Sequence, residues 1–142
     1  MTTPKAPRKP PVRLRFGMRI SVGNDDVIGP GKIALLEAIR THGSISTAAK
    51  NLGMSYRRAW LLLDELNHCL KQPAVHSVKG GQSGGGSGLT PVGEELIRHY
   101  RSVETIAPAS CAKSIQALLR LVRSDAPAGP AAQPASTAVP PG

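Results

Sequence analysis

The stretch Gly43–Trp60, GSISTAAKNLGMSYRRAW, decides the fold of this chain. It has the pattern of two short helices joined by a tight turn at Gly53, where the absence of a side chain permits positive φ. Ser44 or Ser46 can cap the first helix and Ser55 the second, because a serine hydroxyl accepts from the free N–H groups of a first helical turn. The pattern predicts a helix-turn-helix.

The second of these helices opens with serine, tyrosine and two arginines, Ser55–Arg58. No acidic residue lies between Glu37 and Asp64. A helix that carries donors and positive charge in its first turn is suited to enter the major groove of DNA. Arginine can bond bidentately to guanine, and adjacent arginines point about 100° apart on a helix. One of the two is therefore expected to contact bases and the other phosphate.

Two further groups are candidates for contact with the DNA backbone. The start of the preceding helix, Ser44 to Thr47, presents N–H groups and partial positive charge to a phosphate, although simple capping is an equal alternative. A Gly-rich segment, Gly80–Gly88, follows the short strand pattern AVHSV and precedes Leu89, which indicates a β-hairpin with a long tip, a wing. Lys79 at its base is the expected cation, and a flexible linker is the alternative. The predicted DNA-binding residues are Ser44, Ser46, Thr47, Ser55, Tyr56, Arg57, Arg58 and Lys79.

The flanking sequence supplies the other elements. Residues Arg13–Val22 alternate apolar with polar or small side chains, as a half-buried strand does, and Asn24–Gly31 has the composition of a turn. A helix with an apolar stripe follows. Thr90 can cap a fourth helix that Pro108 should break, and Ser110 can cap a fifth. The fold class is therefore mainly α with a small antiparallel sheet, a winged helix-turn-helix.

The segments fall into four regions. Residues 1–12 form a Pro-rich basic arm that we expect to be disordered. Residues 13–104 form the winged helix-turn-helix domain, and residues 105–124 a C-terminal helix that we expect to dimerise. Residues 125–142 form an Ala/Pro-rich tail, also expected to be disordered.

The chain resembles the N-terminal DNA-binding domain of the ModE family, molybdate-responsive regulators related to LysR-type winged helices. The matching pieces are GSIS–AA–LGMSYRRAW, then L–ELN from Leu63, then KGGQSGGGSGLTPVGEEL from Lys79. The resemblance covers roughly Leu14 to Glu104. Full-length members carry paired C-terminal molybdate-binding domains, and nothing after Arg123 has the length to form one. We therefore expect no direct binding of molybdate by this chain.

Composition limits the other classes of function. The net charge of +9 and pI of about 10.3 favour a polyanionic partner. Cys69 and Cys111 imply no disulfide framework, and neither a secretory signal nor a membrane span is evident, so a cytoplasmic protein is expected. No cofactor, metal or catalytic motif is found, which argues against an enzyme. Trp60 is expected to be buried beside Ala59 or in a dimer seam.

The sequence therefore predicts a sequence-specific regulator of transcription that binds double-stranded DNA as a homodimer on a pseudo-palindromic site. The alternative is an architectural, weakly specific DNA-binding protein, for which the basic arm would suffice. A membrane-surface protein is not favoured, because no basic amphipathic helix with exposed aromatics is found in the sequence.

Overall fold

The computed structural model describes residues 11–78 and 86–123 of the chain. Within them lie four short strands and five helices. In chain order they are β1 (Ile20–Val22), β2 (Asp25–Ile28), α1 (Pro30–His42), α2 (Ile45–Asn51), α3 (Tyr56–Cys69), β3 (Val75–Val78), β4 (Gly86–Leu89), α4 (Pro91–Ser110) and α5 (Ala112–Leu121). The chain divides into two units: Phe16–Ser110, which contains β1 to α4, and the terminal segments Met1–Arg15 and Cys111–Gly142, which include α5. The predicted arm and tail fall mostly outside the described residues.

The N-terminal strand is shorter than predicted and belongs to a hairpin. Only Ile20–Val22 is strand, and it pairs antiparallel with β2. The predicted turn at Asn24–Gly31 is therefore wrong where β2 lies. Gly23 reverses the chain at a φ of 63°, so the alternating residues before Ile20 have no partner strand. Asp25 and Asp26 are poor strand formers, which hid β2 from a pattern-based prediction.

The second hairpin agrees with the predicted wing. Strands β3 and β4 pair antiparallel, with Val75 opposite Leu89 and Val78 opposite Gly86. The tip of the Gly-rich segment, with Lys79, lies outside the described residues. The hairpin follows the helix-turn-helix directly, and this order of helices and strands confirms the winged-helix class.

The core of the unit Phe16–Ser110 is aliphatic and is built around α1. The predicted apolar stripe of this helix is confirmed, because Ile33, Leu35, Leu36 and Ile39 are all at most 1% exposed. Buried side chains from the other helices and the two hairpins surround it: Val27, Ile28, Ala48, Ala49, Ala59, Leu63, Leu66, Val75, Ile97 and Tyr100. Burial of these aliphatic groups is what fixes α2 and α3 relative to each other.

An ion pair joins α1 to α4 at the edge of this core. The Arg101 guanidinium donates to both carboxylate oxygens of Glu37 and to Glu104. The hydrogen bond from Arg101 holds the pKa of Glu37 below its usual value, and the charges of Arg101 and Arg40 act in the same direction, while partial burial opposes them. Because the folded pKa is lowered, this pair stabilises the fold above the unfolded pKa of Glu37. That stabilisation is lost as the pH falls through the folded pKa.

The fourth helix is longer than predicted. It continues through Pro108 to Ser110, so the predicted break at Pro108 is wrong. A proline removes its own N–H bond and its ring crowds the carbonyl four residues earlier, but only two residues of α4 follow Pro108, so the helix ends soon after the disturbance. The predicted cap at Ser110 is also wrong, because Cys111 is the N-cap residue of α5 and makes no side-chain capping bond.

Candidate nucleic-acid interface

The helix-turn-helix is held together by close backbone packing. Ala48 and Ala49 of α2 and Ala59 of α3 are at most 1% exposed, and such small side chains allow the two helices to approach closely. Between them Gly53 has a φ of 70°, as the tight turn requires. The Met54 N–H donates to the carbonyl of Ala49 over 3.0 Å, which ties the turn back to α2.

Both helices of this motif begin with a serine cap. The Ser44 hydroxyl accepts from the Thr47 N–H at 3.0 Å, and the Ser55 hydroxyl accepts from the Arg58 N–H at 3.0 Å. Of the two serines that could cap α2, Ser44 therefore does so, and Ser46 is left exposed within the first turn. These caps fix where α2 and α3 start, and so they fix the position of the side chains in their first turns.

The outward face of α3 is set by its buried stripe. Ala59, Leu63 and Leu66 face the core, and at about 100° per residue Arg57 and Leu61 point to the opposite side. Both are exposed, Leu61 by 51%. A bidentate donor and an aliphatic side chain therefore lie side by side on the most outward line of the helix. Guanine edges and thymine methyl groups are the partners that such side chains bind in a major groove.

Trp60 was expected to be buried beside Ala59 or in a dimer seam, but within the chain it is not buried. It is 43% exposed, and its indole Nε1–H donates to the hydroxyl of Tyr56 over 2.6 Å. Tyr56 is itself 53% exposed. The four-residue spacing brings the two rings together on one side of α3. The four-residue spacing of Tyr56 and Trp60 is visible in the sequence, but the pair was not predicted because Trp60 was expected to be buried.

Arg58 lies on a different side of α3 from Arg57, near the start of α1. It lines a surface depression together with Arg19, Asp26, Lys32 and Glu65. The Arg19 guanidinium lies 3.6 Å from an Asp26 carboxylate oxygen. Lys32 is 7% exposed, its ammonium donates to the carbonyl of Asp26 at 3.0 Å, and it lies 3.6 Å from a Glu65 carboxylate oxygen. Arg19 is a cation that sequence reasoning did not assign to the site. Its position in an alternating segment did not indicate a role in this site, because it is the β1–β2 hairpin that brings Arg19 near α3.

The wing is attached to the helix-turn-helix by one bond between main-chain atoms and one to a side chain of α3. The Ser87 N–H of β4 donates to the carbonyl of Gly43, in the turn between α1 and α2, at 2.9 Å. The Thr90 N–H donates to the carbonyl of Ala74 at 2.9 Å. On the other strand the Ala74 N–H donates to the Asn67 side chain of α3 at 2.8 Å. The hairpin is therefore fixed to the turn before α2 and to α3.

The described residues contain no cluster of three or more His, Cys, Asp or Glu side chains able to hold a metal ion. Cys69 and Cys111 are both free and exposed. Among the helices in residues 11–78 and 86–123, none combines the length and apolar character that spanning a membrane requires.

Known proteins resemble this chain over 50–63% of its length. It is 46% identical over 77 residues to the molybdenum-pterin-binding protein MopB of Rhodobacter capsulatus, covering 54% of the chain and 28% of MopB. It is 40% identical over 92 residues to the molybdenum transport protein ModE of Azotobacter vinelandii, covering 63% of the chain and 34% of that protein. It is 42% identical over 71 residues to the DNA-binding transcriptional dual regulator ModE of Escherichia coli K12, covering 50% of the chain and 27% of the regulator.

These similarities confirm the resemblance to ModE-type proteins that the sequence motifs indicated. The chain spans between about a quarter and a third of the length of these relatives. No family model matches it.

Proposed function

We propose that this chain is a regulator of transcription that binds a specific sequence in double-stranded DNA by inserting α3 into the major groove. One observation carries the proposal: α3 presents Arg57 and Leu61 on the side opposite its buried stripe, at the start of a capped helix. The similarity to an E. coli protein named a DNA-binding transcriptional regulator supports it. The net charge of +9 suits the polyanion.

The proposal gives the two arginines different roles. Arg57, on the outward line of α3, contacts a base edge, while Arg58, turned toward Arg19 and Lys32, contacts phosphate. Ser44, Ser46 and Thr47 lie at the start of α2, where N–H groups can meet a second phosphate. Ser55 positions α3 through its cap. Tyr56 belongs to the same contact surface, and Lys79 would reach the backbone from the wing.

The test of this function is selection of bound sites from a pool of randomised duplexes. A regulator should yield one motif and bind it about a thousand-fold or more above random DNA. An architectural protein, the alternative, would yield no motif and a ratio near one. Such a result would be compatible with DNA binding but would contradict the proposal of a sequence-specific regulator.

Binding should fall steeply with salt if several phosphates are contacted. The expected slope of log affinity against log salt concentration is about −0.9 for each contact. Deleting Met1–Pro11, which carries three basic residues, should flatten this slope and leave the sequence preference in place. The matched control deletes residues 132–142, the same length of chain without charge. A flat salt response of the intact protein would contradict the electrostatic argument.

We further propose a homodimer, since one helix-turn-helix contacts few base pairs and a two-fold dimer reads two half-sites. Exposed apolar side chains support it: Leu118 and Val122 of the α5 region are 63% and 50% exposed, and Ile106 of α4 is 59% exposed. Helix α1 is less suited to the interface, because its large apolar side chains are buried.

Light scattering at micromolar concentration should therefore show a dimer. Leu118→Asp with Val122→Asp should shift it to monomer and weaken binding to a palindrome more than to a half-site, because two charges would enter the apolar contact. Gln116→Asp with Ala117→Asp, two exposed positions, places the same charges on the opposite side of α5 and is the matched control. A monomeric intact protein would contradict the proposal.

Molybdate is proposed not to bind this chain directly. An oxyanion pocket needs donors that converge, and Lys113 and Arg120 of α5 line one open depression seven residues apart along the helix. That spacing corresponds to about 10 Å of helix rise, so the two exposed cations lie along one face of the helix and are not held around a single point. Calorimetric titration with molybdate and tungstate should show no heat of binding. Stoichiometric micromolar binding would show that the proposal is wrong.

A further inference from the structure

The Tyr56–Trp60 pair is the feature of α3 that the roles assigned above leave unexplained. Both rings are about half exposed, and they are joined only at their polar ends, by the bond from Trp60 Nε1 to Tyr56 Oη at 2.6 Å. An exposed side-chain pair on one helix contributes little to folding. Two aromatic rings held in one arrangement on a surface are instead suited to a ligand, because the entropy of ordering them is lost before binding.

The direction of this hydrogen bond determines what Tyr56 can still do. An indole N–H can only donate, so the Tyr56 oxygen is the acceptor. Its own proton remains available, and a hydroxyl that accepts one hydrogen bond becomes a better donor. Base edges in the major groove and phosphate oxygens are both acceptors. Tyr56 therefore presents a fixed donor of the kind that DNA can use.

The position of the pair on α3 agrees with this. At about 100° per residue, Tyr56 and Trp60 lie beside the outward line of Arg57 and Leu61, on the side that Asn67 shares. Asn67 binds the main chain of Ala74 at the start of the wing. The pair thus lies on the wing side of the outward face, where it borders the groove that Arg57 would enter.

We propose that Tyr56 and Trp60 act as one preset unit, in which Trp60 holds the Tyr56 hydroxyl so that it donates its proton to an acceptor on DNA. Tyr56 makes the contact and Trp60 is its positioning residue. The proposal rests on the proposed DNA-binding function. The acceptor is an oxygen or nitrogen of a base edge or a phosphate oxygen, which share the same chemistry toward a hydroxyl donor.

The experiment compares Tyr56→Phe, Trp60→Phe and the double variant on the selected duplex and on random DNA. Each single change removes one polar group and keeps an aromatic ring. Tyr56→Phe should weaken specific binding about 3- to 10-fold, the range expected for one hydrogen bond. Trp60→Phe should weaken it by a similar factor, and the double variant should be no weaker than Tyr56→Phe alone, because both changes disable the same contact.

Stability and fluorescence separate positioning from a purely structural role. The unfolding free energy of all three variants should match the parent protein, since both side chains are exposed. Trp60 is the sole tryptophan, so its emission should change when the selected duplex is added and change less in Tyr56→Phe. Tyr100→Phe removes a hydroxyl that donates to the carbonyl of Met18. As the matched control it should lower stability and leave DNA preference unchanged.

The outcomes distinguish the two proposals. Altered preference at one base pair in Tyr56→Phe assigns the acceptor to a base edge, and a uniform loss across sequences assigns it to phosphate. Parent affinity in Tyr56→Phe, or additive losses in the double variant, would overturn the preset unit while the DNA-binding function stands. Absence of preferential DNA binding by the parent protein would overturn the proposed function itself.

Discussion

Replacing Arg57 by alanine is expected to weaken binding to the selected duplex by about 1–3 kcal/mol, a factor between roughly 5 and 150. The expectation follows from its place on α3, opposite the buried residues Ala59, Leu63 and Leu66. A guanidinium there can form two parallel hydrogen bonds to one guanine, and alanine forms none. Fluorescence anisotropy with selected and random duplexes measures the loss and shows whether it is confined to the selected sequence.

Arg57→Lys refines the test, since it keeps the charge and loses the bidentate geometry. It should recover non-specific binding and only part of the preference. Arg58→Ala should weaken both duplexes alike, as expected for a phosphate contact. Arg98→Ala, at an exposed position of α4, is the control for loss of one charge. If Arg57→Ala kept the parent's affinity and preference, the proposed docking of α3 would be wrong.

Replacing Gly93 by alanine should destabilise the fold by about 1–3 kcal/mol, the usual cost of forcing an added group into a packed site. A Cβ at Gly93 would lie 2.4 Å from the carbonyl oxygen of Ala74 and 3.3 Å from the Cβ of Leu89. The close neighbour is backbone, and that same carbonyl accepts from the Thr90 N–H. Relief of the contact therefore has to move the first turn of α4 away from the wing.

Urea unfolding measures this effect, and Gly31→Ala is the matched control. Gly31 is in the first turn of α1, and a Cβ there would meet nothing within 4 Å. Alanine at that site should stabilise the protein by about 0.4–1 kcal/mol, because it restricts the unfolded chain. Equal stabilities of Gly93→Ala and the parent protein would show that α4 does not approach Ala74 as closely as the structure has it.

Features set by local chemistry were predictable from the sequence. The helix-turn-helix follows from Gly53 and the caps at Ser44 and Ser55, each of which acts within four residues. The stripe of α1 follows from helical periodicity. The Gly-rich segment marked the wing, because few other structures accept so many glycines between two short strands.

Features set by distant contacts were not predictable. The partner of β1 is Asp25–Ile28, whose composition favours a turn, and only burial of Val27 and Ile28 in the core makes it a strand. Helix α4 extends through Pro108 although proline ordinarily ends a helix. Trp60 was expected to be buried beside Ala59 or in a dimer seam, and within the chain it is 43% exposed, because one residue along a helix is a rotation of about 100° away from the buried Ala59.

The attachment of the wing has a consequence for protein engineering. The main-chain N–H of Ser87 donates to the carbonyl of Gly43, and the main-chain N–H of Thr90 donates to the carbonyl of Ala74 across the base of the hairpin. Any non-proline residue supplies the same N–H group. A library that randomises side chains at the hairpin tip, or grafts another tip between β3 and β4, should therefore leave the scaffold in place. Different tips could therefore be exchanged between β3 and β4. Changes in DNA target preference could then be separated from changes in folding.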